Sequence, residues 1–385
     1  MKRHIAIVAP PWYPVPPHGY GGIELIVGLL ADELRSRGHR VTLIAGEGST
    51  PDAHVAAPHT WCGDLGRPEE RWRELTYAAR VGLALTRVGP IDVIHDHCGF
   101  GTLLGLTVLD IAPVLHTVHG TVHEPLRTYY TELSTVGLIA ISESQRRSAT
   151  SLRWSGVVHN AVDVDALTIG ERVEREPYLL CLARICPDKG QHLAIEVARQ
   201  TGLRLVLAGK VEPSVQALEY YQRFIVPALE DGDVVHLHNV AGAQKAQLLA
   251  QAAALLHPIQ WDEPFGLSVV EAMASGTPAI ALARGAAAEL IVPGVTGFLT
   301  SDVDGMVAAV RLANDIDPMR CAALARERFS PAAMTDGYLR LYEDAISEPD
   351  TWTLRTAAAA GTAPAPMADV DEDSARAILH IHPGG

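Results

Sequence analysis

Short apolar runs recur along the chain, each closed by a turn signal and followed by a stretch of helical periodicity. His4-Ile5-Ala6-Ile7-Val8-Ala9 is the first. A run with so little alternation predicts a strand covered on both faces, as in the middle of a parallel sheet. A Pro- and Gly-rich loop follows from Pro10 to Gly22, and Leu25, Ile26, Leu29, Leu30 and Leu34 predict a helix over 23–37, stopped by Gly38. Strands are expected at 41–45, 92–95, 114–119 and 138–141, a helical stretch of mixed charge at 61–88, and a Ser142 cap on a basic helix. Strand, Gly-rich loop, helix and strand in this order open a doubly wound domain, which binds ligands at the carboxyl ends of its strands.

Charge density rises in Gly170-Glu171-Arg172-Val173-Glu174-Arg175-Glu176, which predicts an exposed connector. After Pro177 the alternation restarts, with strands at 178–183, 203–208, 234–237, 253–258 and 279–282 and helices at 191–201, 245–253, 303–314 and 331–347. The expected domains are 1–165, a linker 166–177, and 178–347, whose final helix crosses back to the first domain. The Ala- and Pro-rich tail 351–385 is expected to be poorly ordered. The predicted class is α/β: two facing Rossmann-like domains with parallel sheets and a cleft between them.

Bulk properties narrow the partners. The 385 residues suffice for two buried cores, and 48% hydrophobic with 20% charged residues fits a globular chain. A net charge of −14 argues against nucleic acid as the main partner and against adhesion to anionic lipid. Five scattered cysteines do not suggest a disulfide framework and point to a reducing, cytoplasmic setting. Met1 to Val8 is expected to be a first strand, not a signal peptide, and no run is long enough for an integral membrane segment. Nothing in the sequence bears on oligomeric state.

The stretch with the densest chemistry is Trp261-Asp262-Glu263-Pro264-Phe265-Gly266-Leu267-Ser268-Val269-Val270-Glu271. An apolar strand ends, a turn follows, and a helix expected over 266–275 begins on Gly266 and stops at Gly276. The first amides of such a helix point outward unpaired and hold anions, and a glycine there lets a phosphate approach the backbone. Glu263 and Glu271 bracket that position, where they suit hydroxyl groups. A phosphate between two polyols describes a nucleotide sugar. Arg184 and Lys189 leave a strand end together and match phosphate oxygens; the competing expectation is a surface salt bridge with Asp188 or Glu196. Gly21 and Gly22 precede a helix, as a phosphate cradle or a tight turn. The full dinucleotide pattern is missing, so NAD is ranked low. His95, His97, Cys98, His116, His119 and His123 lack standard zinc spacing, and no metal site is expected. His119, before Gly120, is read as a hydrogen-bonding residue in a cleft, with a plain core histidine as the other reading.

Taken together these residues resemble the retaining glycosyltransferases of family 4, which have the GT-B architecture. The likeness rests on Glu263-Pro264-Phe265-Gly266 with Glu271, on Arg184 with Lys189-Gly190, on Gly21-Gly22, His119-Gly120, Ser142-Glu143 and Asn160-Ala161-Val162-Asp163, and on Pro293-Gly294-Val295-Thr296-Gly297-Phe298-Leu299. The resemblance implies that Arg184 and Lys189 bind the donor diphosphate and Glu271 the ribose. Glu263 would contact the transferred sugar near its 3-hydroxyl, with the Phe265, Gly266 and Leu267 amides near sugar and phosphate. His119 would face the 6-hydroxyl, and Gly22 would lie close to the diphosphate. It further implies a UDP-sugar donor by preference, a small-molecule or glycan acceptor and no obligatory metal cofactor. Two departures are Ala161, where the family often has Gly, and Ala288-Glu289, where it often has Pro-Glu. The opening 9–17 is similar to the branch with antibiotic-biosynthesis and pterin-glycosylating enzymes. Two alternatives share the fold: an epimerase, which would consume donor without acceptor, and a nucleotide-sugar-binding protein without turnover.

Overall fold

The structure, a computed structural model, describes residues 1–57, Trp61, 69–170 and 178–347. Most of the expected connector, the tail 351–385, Cys62 and most of 58–68 lie outside the described residues.

Two parallel sheets form. The first contains β1 (His4–Val8), β2 (Arg40–Gly46), β3 (His54–Ala57), β4 (Val93–Asp96), β5 (Val114–Val118), β6 (Val136–Ala140) and β7 (Trp154–Val157), in the order β3-β2-β1-β4-β5-β6-β7. The second contains β8 (Tyr178–Leu182), β9 (Arg204–Ala208), β10 (Val234–Leu237), β11 (Ala254–His257), β12 (Ala279–Leu282) and β13 (Gly297–Thr300), in the order β10-β9-β8-β11-β12-β13. In both, the strand that comes first in the sequence lies inside the sheet and the order reverses beside it, the arrangement that opens a crevice at the carboxyl edge. These are two Rossmann-like domains.

Strand periodicity of two explains the apolar runs. Ile5 and Ile7 face a layer made by the helix Gly22–Ser36, through Ile26, Leu30 and Leu34, while Ala6 and Val8 face Tyr77, Val81 and Leu103 on the other side. The second sheet is covered in the same way, with Val269, Val270 and Met273 on one face and Ile195, Ala198 and Met306 on the other. The helix Pro331–Ser347 buries Met334, Tyr338, Tyr342 and Ala345 in the core of the first domain, against Val93 and Leu115.

Several local expectations change. The helix expected over 61–88 is Glu70–Leu85 within the described residues, and it buries Tyr77, Val81 and Leu85. β5 ends at Val118, so His119 stands beyond the ladder. Gly170 is buried, not exposed: its amide donates to the Ser275 carbonyl (3.1 Å), and a Cβ there would fall 1.8 Å from the Ala250 carbonyl oxygen. The short edge strand β3, the helix Pro318–Phe329 and the helical segment 215–230, with its π-turn at Tyr221–Ile225, are additional.

Candidate active site

Loops that follow strands make the contacts between the domains, so the two carboxyl edges face each other. Gly22, after β1, lies against Leu267, after β11: a Cβ on Gly22 would sit 3.2 Å from Leu267 Cδ1. Tyr20 carries Lys210, after β9, over its ring at 5.5 Å. Glu289, after β12, accepts from the amides of Glu143 and Ser144, after β6, both at 2.9 Å, and His159 Nε2 lies 3.3 Å from the same carboxylate. Burial pushes the Glu289 pKa up, but His159 and the two amides outweigh it and hold the carboxyl below its ordinary value.

On the second-domain wall, Gly266 caps the helix Leu267–Ala274 at φ 114°, a conformation suited to glycine, and no side chain caps that end. The Val269 and Val270 amides turn back to the Gly266 carbonyl at 3.0 and 3.4 Å, which leaves the Leu267 and Ser268 amides without an intrahelical partner for a ligand to use. Lys189 ends the short turn Pro187–Lys189 and places its Nζ 2.5 Å from Glu263 Oε2. The two loops are tied by their backbones as well. The Gln260 amide donates to the Asp188 carbonyl at 2.8 Å, and Gly190 packs so closely that a Cβ would stand 2.0 Å from the Pro258 carbonyl oxygen. The Ala286 amide, from the loop after β12, donates to the Glu263 carbonyl at 3.0 Å. Lys189 is only 11% exposed in its side chain and also lies 5.3 Å over the Trp261 ring. Charges held this far from bulk water interact more strongly than surface pairs.

Arg184, half-exposed, pairs with Glu212 at 2.5 Å, not with Asp188 or Glu196. Glu271 is buried and takes Lys245 Nζ at 2.7 Å. Phe265 is buried against His159 and Phe329, so its ring belongs to the core and only its backbone is free to serve a ligand. Gly21 adopts φ 142° with a Cβ position 2.9 Å from Pro17 Cβ, which makes the loop 10–22 compact. His119 is on the first-domain wall, where its Nε2 meets His97 Nδ1 at 2.9 Å. Burial, with a smaller effect of His116, lowers its pKa to about 3. The structure thus brings Lys189, Glu263, Gly266, Leu267 and Gly22 together, with Glu271 further along the same helix. His119 is held by its own domain. Among the described residues no cluster of three or more His, Cys, Asp or Glu is arranged to hold a metal ion, and no helix is long and apolar enough to cross a membrane.

Residues 20–166 match the family described as Glycosyltransferase Family 4, and residues 168–326 match Glycosyl transferases group 1. The chain belongs to glycosyltransferase family 4. This glycosyltransferase is 27% identical over 381 residues to the phosphatidyl-myo-inositol mannosyltransferase of Mycolicibacterium smegmatis, covering 88% of this chain and 93% of that one. AviGT4, a glycosyltransferase involved in avilamycin A biosynthesis, shares 26% identity with a TM-score of 0.69, over 90% of this chain and 98% of its own. HepE of Anabaena, solved with UDP and glucose, has the same fold at 19% identity and a TM-score of 0.69, over 88% and 98% of the two chains. The fold is GT-B.

Sequence reasoning missed Lys245, Glu212, Glu24 and the part played by His97. Lys245 and Glu212 carry no local motif. Glu24 did leave a signal, as an acidic residue two positions after Gly22 in a helix's first turn.

Proposed function

We propose that this glycosyltransferase moves a hexose from a nucleoside-diphosphate sugar to a hydroxyl of a small-molecule or glycan acceptor, with retention at the anomeric carbon and no obligatory divalent cation. The observation that carries this reading is the Lys189–Glu263 pair at 2.5 Å beside the uncapped N-terminus of Leu267–Ala274, with Gly22 facing it. When the bond from the anomeric carbon to the β-phosphate oxygen breaks, charge grows on that phosphate. Lys189, Arg184 and the helix amides are the groups suited to receive it, in the place a metal ion takes elsewhere. Glu263, oriented by Lys189, then binds sugar hydroxyls, and Glu271, held by Lys245, binds the ribose. The acceptor hydroxyl attacks from the side the phosphate leaves, and its proton passes to the departing phosphate oxygen.

A UDP-sugar is the first donor to test, supported by the UDP and glucose held by HepE. The mannosyltransferase relative makes GDP-mannose the second. The likeness to AviGT4 supports an acceptor from the antibiotic-biosynthesis branch. The test is thermal unfolding with UDP, GDP, ADP and dTDP. A nucleotide at 100 times its Kd stabilises by about 2.7 kcal/mol, which is readily measured. The matching sugar donor is then assayed in excess chelator, and the product's anomeric configuration is read by NMR. No stabilisation by any nucleotide would overturn the proposal.

A further inference from the structure

A buried polar assembly lies behind His119. His119 Nε2 is 2.9 Å from His97 Nδ1, His97 Nε2 is 3.3 Å from His95 Nδ1, and His95 Nδ1 is 2.6 Å from the Tyr342 hydroxyl. On its other side His95 Nε2 is 2.8 Å from Thr117 Oγ1, which lies 3.1 Å from the Tyr338 hydroxyl. Both tyrosines come from the helix Pro331–Ser347, and His95, His97, Thr117, Tyr338 and Tyr342 are all buried. Burial drives the pKa of His95 and His97 well below the ordinary value, with neighbouring imidazoles adding to the effect. These imidazoles are therefore neutral near pH 7.

A neutral imidazole has one N–H and one bare nitrogen, so the contacts constrain one another. Among the described residues the Tyr342 hydroxyl has His95 Nδ1 as its hydrogen-bond partner and no other. At 2.6 Å the contact has the length of a bond from an O–H donor, and is shorter than the roughly 2.7–3.2 Å of N–H donors. The phenol therefore donates, His95 Nδ1 is bare, and the His95 proton sits on Nε2, donated to Thr117. The bare His95 Nδ1 also faces His97 Nε2. Two bare nitrogens would repel at 3.3 Å, so His97 carries its proton on Nε2. The two rings stand 4.0 Å apart at 45°, so His97 approaches beside the Nδ1 lone pair that Tyr342 meets, which accounts for the greater length of that contact. His97 Nδ1 is then bare, and the 2.9 Å contact requires His119 to donate from Nε2.

We propose that the last helix fixes the tautomer of His119: Tyr342, His95 and His97 act as positioning residues that leave His119 protonated on Nε2 and bare on Nδ1, so that it offers the cleft an acceptor. The group that meets it must then donate. A hydroxyl of the transferred sugar fits, and a fluorine in the same place does not. This last consequence rests on the transfer reading; the tautomer does not.

The test uses the full chain labelled with 15N-histidine and long-range 1H–15N correlation spectra. The His119 signals are assigned as those lost in His119→Gln. Wild type is expected to show Nε2–H and bare Nδ1 at His119. Tyr342→Phe frees His95 to protonate Nδ1, and the opposite tautomer, or a mixture, is expected at His119, with roughly tenfold lower kcat/KM for the donor, the scale of one misdirected hydrogen bond. Tyr338→Phe removes a hydroxyl that meets Thr117 Oγ1 and not His95 Nδ1, and it should leave the tautomer unchanged. His119 protonated on Nδ1 in wild type, no change in Tyr342→Phe, or an equal change in both tyrosine variants would each overturn the proposal. The spectra need no substrate, so failure to turn over any donor would count against the transfer reading alone.

Discussion

Glu24 is a carboxyl in an expensive place, and replacing it by glutamine should stabilise the protein in alkaline solution. It lies in the first turn of Gly22–Ser36, two residues after the Gly21-Gly22 loop, and is 3% exposed. Burial raises its pKa from 4.5 to about 7, although its own amide and that of Tyr13 donate to it and oppose the rise. At about 1.36 kcal/mol per tenfold, ionising it in the folded protein costs about 3 kcal/mol. The positive end of the helix offsets up to about 1 kcal/mol, leaving about 2 to 3. The pKa is raised on folding, so this group's contribution is fully present below pH 4.5 and is lost as pH rises through about 7. Glu24→Gln never ionises. Its stability relative to wild type should therefore grow between pH 5 and pH 8.5 by about 2 to 3 kcal/mol, or roughly 5–10 °C in the melting temperature of the first domain. Differential scanning fluorimetry at the two pH values measures it, and the difference between them cancels any packing defect common to both. A variant whose offset from wild type is the same at both values would refute the assignment of a buried, costly carboxylate.

Three further outcomes follow from the second-domain wall. Lys189→Ala should lower turnover by on the order of 10² to 10³ while the protein stays folded, because it removes a charge that acts on the leaving phosphate and unseats Glu263; near-normal turnover in a steady-state assay would count against the site. Lys245→Met should raise the KM for the donor by about tenfold with little change in kcat, since Lys245 touches Glu271 and not the leaving phosphate; a loss confined to kcat would place Lys245 elsewhere in the reaction. Gly190→Ala puts a methyl 2.0 Å from the Pro258 carbonyl oxygen at φ 69°, so it should part the Lys189 and Glu263 loops. Activity should fall at least as far as in Lys189→Ala, and a crystal structure with the loops still joined would refute the account.

The interior strands were legible because burial on both faces leaves unbroken apolar runs, as at β1 and β12, and Ser142 was legible as a cap because its hydroxyl accepts the Gln145 amide locally. β3 was not, because it is a four-residue edge strand half open to solvent. The same division runs through the site. Gly266, Glu263 and Glu271 share one short stretch with a turn and a helix start, so the pattern itself placed them together. Their cationic partners come from other elements: Lys189 is 74 positions from Glu263 and Lys245 is 26 from Glu271, and no local periodicity encodes such pairings. The line from Tyr342 to His119 is still less readable in sequence, since it joins residues 247 positions apart at its first step.

The return of Pro331–Ser347 to the first domain means that the chain passes between the two lobes twice, once before Gly170, whose amide already meets Ser275 of the second domain, and again at Phe329-Ser330-Pro331. The two crossings are tied to each other, since the Val162 amide donates to the Phe329 carbonyl at 3.0 Å, so the lobes are joined by a bonded pair of segments and not by a single thread. The lobes are also not separable by one cut: a fragment ending at Gly170 would lack the layer supplied by Met334, Tyr338 and Tyr342 and would lay bare Val93 and Leu115.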